Sequence, residues 1–155
     1  MLHVKLFILA TLSLVTLNCR TISHKYSIEI RHFAGAVGLT IYYIVDDKSI
    51  MVDTHCDLEN CKRKNVYKRS LTSVQSDSLF QALKSLHLDT LKTSYKPKGM
   101  AFDGLVSSIK LRGSEFPNKD ISIDNVDLPA TDSLYRILDR LILEKKYQFY
   151  HFGEE

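Results

Sequence analysis

Between residues 53 and 61 the chain gathers its densest set of reactive side chains: Asp53, His55, Cys56, Asp57 and Cys61. Imidazole and thiolate at short spacing are ligands that zinc favours, and a thiolate beside an imidazole is a nucleophile and its base. Either chemistry needs reduced thiols. The tetrapeptide between the cysteines, Asp57-Leu58-Glu59-Asn60, is turn-like and lies between two strand-like runs. Positions flanking a four-residue hairpin loop face each other at about the separation that a disulfide requires. In an oxidising compartment a Cys56–Cys61 disulfide without metal is the expectation. The alternative is a metal- or thiol-dependent hydrolase centred on Asp53, His55, Cys56 and Cys61, although no second His/Cys pair at matching spacing accompanies them. On a strand, Asp53 and His55 share the face opposite Val52 and Thr54 and point to solvent.

Other chemistry is thinly signalled. The sequence has no G-x-S-x-G elbow, phosphate-binding glycine loop or H-E-x-x-H helix. Asp103-Gly104 reads as a turn. Asp120, Asp124 and Asp127 lack the central glycine and terminal glutamate of an EF-hand. His24, His32, His87 and His151 are isolated and read as solvated surface groups. Lys62 to Arg69 carries five basic residues in eight; it reads as the solvent side and edge of a strand, where lysines discourage pairing. The expectation is therefore no catalytic residue, no metal ligand and no cofactor.

The compartment is read from the amino end. Met1 to Lys5 carries one positive charge, and Leu6 to Leu17 is apolar or hydroxylic throughout. Twelve such residues suit the core of a signal peptide and fall short of the roughly 20 that span a bilayer. Leu17-Asn18-Cys19 follows directly and resembles the lipobox of bacterial lipoproteins, in relaxed form, with Asn18 at the usual small-residue position. The resemblance implies cleavage after residue 18 and acylation of Cys19, which leaves Cys56 and Cys61 as an even pair. Residues 19–25 then form a lipid-anchored tether and residues 26–150 a single domain. The location implied is the bacterial cell envelope, at the outer membrane, on its periplasmic face or at the cell surface; without lipidation the protein would be secreted. Loss of residues 1–18 removes Lys5 and no acid, leaving 20 basic against 18 acidic residues, a net charge of +2. That is too near neutral to argue for nucleic acid or for anionic lipid.

The elements that must position these groups follow in order. Tyr26 to Phe33 alternates, with Ile28 and Ile30 on one face and Glu29 and Arg31 on the other. Leu39 to Val45, Ser49 to Cys56 and Lys62 to Arg69 read as three further strands, rich in β-branched and aromatic residues or bounded by turns. Thr72-Ser73-Val74-Gln75 has the form of a capping box and opens a helix whose stripe is Leu79, Phe80, Leu83 and Leu86. Leu105 to Leu111 and Asp120 to Asp124 are two more strands. Pro129 to Lys146 reads as one long helix capped by Thr131, with Leu134, Ile137, Leu138, Leu141 and Ile142 forming one apolar stripe. The order βββ-β-α-ββ-α implies an α+β domain, an antiparallel sheet of five to six strands with both helices packed on one face.

Two resemblances attach to this pattern over residues 26–143. The tracts Tyr67 to Leu86 and Asn125 to Leu141 resemble those of uncharacterised Bacteroidetes secreted proteins and lipoproteins of this size. Phe33-Ala34-Gly35 after the first strand is similar to the Gly-Gly-Phe-Ala-Gly loop of emfourin-type inhibitors of protealysin-like metalloproteases. Here Arg31 and His32 stand where those inhibitors have glycines, so no inhibitory residue is carried over. Together they imply a non-enzymatic envelope lipoprotein that is held to the membrane by its lipid and binds another envelope or secreted protein, a protease among the candidates. A structural envelope component is the remaining reading.

Overall fold

The computed structural model describes residues 24–34, 38–56, 62–99 and 106–152. Residues 1–23, with the expected signal peptide and Cys19, lie outside them, as do Asp57, Cys61 and Asp103.

Strand β1 (Tyr26–Ala34) sits in the middle of a seven-stranded sheet. It pairs antiparallel with β2 (Leu39–Asp46) on one side and with β6 (Val106–Gly113) on the other. β3 (Ser49–Cys56) and β4 (Lys64–Ser70) extend the β2 side, with β4 at the edge. β7 (Lys119–Asp124) and the two-residue β5 (Ser94–Tyr95) extend the other. The full order is β4-β3-β2-β1-β6-β7-β5.

Alternation sets the two faces. Ile28, Ile30, Tyr43, Val45, Ile109 and Leu111 meet in register and are buried. Glu29, Arg31, Tyr42 and Lys110 occupy the intervening positions. The α+β architecture is as read from the sequence, but the sheet is mixed and larger than expected. β5 adds a seventh strand and pairs parallel with β7. Two residues are too few to show a period of two, so nothing in Ser94-Tyr95 signals a strand.

Two helices cover the Ile28/Ile30 face. α1 (Ser73–Ser85) opens with the expected capping box, Thr72 Oγ1 accepting from the Gln75 amide at 3.3 Å and the Gln75 side chain accepting from the Thr72 amide at 3.0 Å. It buries Leu79, Phe80 and Leu83. α2 (Pro129–Leu141) buries Leu134, Tyr135 and Leu138, and Ile142 just beyond its end is also buried. Its cap is Leu128 with Pro129 in the first turn; Thr131 lies inside the helix, its hydroxyl turned back to the Leu128 carbonyl at 2.9 Å.

The helix stops at Leu141, five residues before the expected Lys146. The carbonyls at its end have found donors elsewhere: Arg69 donates to Leu141 O at 2.7 Å, and Gln148 Nε2 donates to Asp139 O and Ile142 O at 3.0 and 2.9 Å. With those groups satisfied from outside, a further helical turn adds little. Two short 3-10 turns follow, Lys145–Tyr147 and Phe149–His151.

Candidate functional site

At one end of the sheet, on its helix-covered face, a cleft of about 810 Å³ opens between β1, β6, β7, the amino end of α2 and the second 3-10 turn. Ile123, Val126, Leu128, Tyr135 and Phe149 supply most of its walls. His32, Ser107, Thr131, Asp127, Asp132 and Tyr150 supply polar groups. Apolar walls with a few fixed polar groups are the usual make-up of a binding site.

The polar groups are wired to one another. His32 of β1 and Ser107 of β6 are register partners across the sheet, and His32 Nδ1 is hydrogen-bonded to Ser107 Oγ at 2.9 Å. The Tyr135 hydroxyl from α2 reaches Ser107 and Thr131. The chain His32–Ser107–Tyr135–Thr131 thus ties sheet to helix. Burial holds the His32 imidazole below the ordinary histidine range, so it is neutral near pH 7. Burial also pushes the Tyr135 phenol up, against the opposing hydrogen bonds of Ser107 and Thr131.

A serine beside a histidine is a nucleophile and its base in outline. Here burial is the cause of the shift at His32, and the Ser107 hydroxyl is shared with Tyr135 and almost fully buried. An activated serine also needs an imidazole oriented by a third group. The arrangement fits a satisfied polar floor better than an attacking one.

The outer wall is the tail. Asp139 of α2 accepts from the Phe149 and Tyr150 amides at 2.5 and 3.3 Å, which places Phe149 against His32 (ring centroids 4.8 Å apart) and Tyr43 (5.6 Å). Burial raises the Asp139 carboxyl above its usual range despite those two amide bonds. At the rim the Tyr150 hydroxyl donates to Asp132 Oδ1, and Arg136 Nε donates to Asp132 Oδ2 at 2.9 Å. These two donors, Tyr150 first, hold the Asp132 carboxyl below the usual carboxylate range.

Of the cluster singled out in the sequence, Asp53 and His55 lie on the other face of the sheet. Asp53 accepts from Arg63 Nε at 2.8 Å and from Asn65 Nδ2 at 2.7 Å. The Arg63 guanidinium also sits 3.7 Å from the Tyr42 ring centre. Pairing of Thr40 with His55 and Leu39 with Cys56 keeps Asp53 and His55 on this face and directs Cys56 to the opposite one. The strand therefore separates His55 from Cys56, the two residues that zinc or thiol chemistry would combine. Among the described residues no three His, Cys, Asp or Glu side chains are grouped closely enough to hold a metal ion. The expected Cys56–Cys61 disulfide involves Cys61, which lies outside the described residues.

Several surface readings change: Asp53, His55 and His151 are only partly exposed, with the His55 Nδ1 atom buried. His32 is half-buried in the cleft, and His24 stacks on Phe80 with ring centroids 3.7 Å apart while bonding Glu115 at 2.7 Å. A signal for His32 was present in the strand: it shares the phase of Ile28 and Ile30, the buried phase of β1. Ser107 likewise shares the phase of Ile109 and Leu111. A polar side chain on an apolar phase at a strand end marks a place where the core opens. Nothing local marks Phe149 or Tyr150.

Neither a protein-family model nor a curated protein matches the chain.

Proposed function

We propose that the protein is a non-enzymatic, exported envelope lipoprotein whose cleft binds a segment of another envelope or secreted protein. The observation that carries this reading is the cleft, apolar in its walls, with His32 and Ser107 bonded to each other and the Thr131 hydroxyl given to the Leu128 carbonyl. Groups satisfied in this way shape a pocket and give it rigidity; they leave little for proton transfer. The apolar leader and the Leu17-Asn18-Cys19 tract support export and acylation at Cys19. The resemblance to metalloprotease inhibitors makes a protease the first partner class to test.

Photo-crosslinking in cells tests the binding role. A benzophenone amino acid at Val126 should yield a discrete adduct with an envelope or secreted protein, and the same group at Lys110 on the other sheet face should not. Equal adducts from both positions, or none, would count against the cleft. Esterase or peptidase activity abolished by Ser107→Ala would instead establish a hydrolase, since it is the Ser107–His32 contact that favours that second reading. Labelling with a palmitate analogue that tags the wild type and spares Cys19→Ala is the expected outcome for the anchor.

A further inference from the structure

The cleft is negatively charged inside a positively charged chain. No lysine or arginine lines it among the described residues, although basic residues outnumber acidic ones in the sequence. Its ionisable lining includes two carboxylates, Asp127 and Asp132. Asp132 is engaged by Tyr150 and Arg136. Asp127 is exposed and has no hydrogen-bond or ion-pair partner among the described residues. It stands between Val126 and Leu128, both half-buried, so an apolar wall carries an uncompensated charge at its solvent side.

We infer that the occupant of the cleft is a lysine or arginine side chain of the partner protein, its aliphatic stem against Val126 and Leu128 and its charge at Asp127. This deepens the binding reading above and rests on it. Long basic side chains combine an apolar stem with a charged tip, which is the profile of this wall. Aromatic rings beside the carboxylates add attraction for a cation. The rim already holds one guanidinium in this way: Arg136 binds Asp132 and lies 5.1 Å from the Tyr150 ring centre.

An anion is disfavoured even though the amino end of α2 borders the cleft. Pro129 lacks an N–H, and the Thr131 and Asp132 amides are both bonded to Leu128 O at 3.0 Å. The two carboxylates would repel an anion besides.

The test uses the full chain, isotopically labelled and kept in mild detergent, titrated with capped Gly-X-Gly tripeptides and followed by amide chemical shifts. X is lysine, arginine, norleucine or glutamate. The lysine and arginine peptides should shift amides at Ile123, Val126 to Leu128, Ala130 to Asp132 and Tyr150, and bind about fivefold or more tightly than norleucine, the gain of one exposed ion pair with a nearby ring. That preference should shrink with added salt and vanish in Asp127→Asn, whose exposed position leaves the fold intact. Norleucine binding as well as lysine, or glutamate binding better, would overturn the cation inference and leave an apolar binding cleft standing. Shifts from none of the four would overturn the inference and the cleft's binding role together.

Discussion

Phe149 lies flat on Tyr135, the two ring centroids 3.8 Å apart and the planes 15° from parallel. The contact joins the end of the chain to the middle of α2, and it places an aromatic wall beside His32 and Ser107. Such a pair contributes about 0.5–1.5 kcal/mol beyond the area it buries. The tail is thus part of the domain, and the cleft exists because the tail is seated.

Asp139 is what seats it. Asp139→Ala removes the acceptor of the Phe149 and Tyr150 amides. The expected loss is about 1–3 kcal/mol, the cost of leaving such donors without their acceptor. Limited trypsin digestion should also cut faster after Lys145 and Lys146. Unchanged denaturant midpoint and unchanged cleavage would mean that the stacking alone holds the tail.

Much of this fold is legible in the sequence because burial and period coincide. Ile28 and Ile30 in β1, Val52 in β3 and Leu134 and Leu138 in α2 sit in the phase that alternation or helical spacing gives them, and all are buried. Thr72 and Gln75 cap α1 as their spacing implies. What escapes is non-local. The end of α2 depends on Arg69 and Gln148 reaching its carbonyls, and β5 exists only because β7 is there to pair with it. The cleft depends on His32 meeting Ser107 from 75 positions away, and on a tail whose aromatic residues show no period. The reactive cluster at Asp53 drew attention by its density, yet Asp53 and His55 lie on one face of their strand and Cys56 on the other.

The phase of α2 is open to a direct check. Leu138 is 1% exposed and Leu143, beyond the helix, is 71% exposed. Leu138→Ala should cost about 2–5 kcal/mol through lost burial and a residual cavity. Leu143→Ala should stay within about 0.5 kcal/mol. Similar shifts for both in urea melts would mean that the helix is rotated from the described orientation.

Two tyrosines in the core should respond oppositely to loss of the hydroxyl. The Tyr67 hydroxyl accepts from the Leu143 amide at 3.1 Å, pinning the chain where it leaves α2. Tyr67→Phe should cost about 1 kcal/mol. The Tyr43 hydroxyl is buried with no hydrogen-bond partner among the described residues, and burial pushes its phenol far up. Tyr43→Phe removes a desolvated polar atom and should be neutral or slightly stabilising. A Tyr43→Phe variant that melts well below the wild type would show that this hydroxyl is bonded after all.

His32 should make stability depend on pH in a defined direction. Burial lowers its folded pKa, while the unfolded chain keeps an ordinary value of about 6.5. Between those two values the unfolded state binds more protons than the native one, so stability falls as pH falls. The contribution is complete above about pH 6.5 and is lost as pH drops through the folded pKa. His32→Gln keeps a side chain able to bond Ser107 and removes the titration. The stability difference between wild type and variant should therefore shift against the wild type on going from neutral to mildly acidic pH. Asp139, raised by burial, works in the opposite sense near the carboxylate range, and taking the difference between the two proteins cancels it. The His32 ring resonances should titrate with a midpoint below that of an exposed histidine. Parallel pH profiles for the two proteins, or an ordinary midpoint, would mean that the imidazole is solvated and that Phe149 does not close over it.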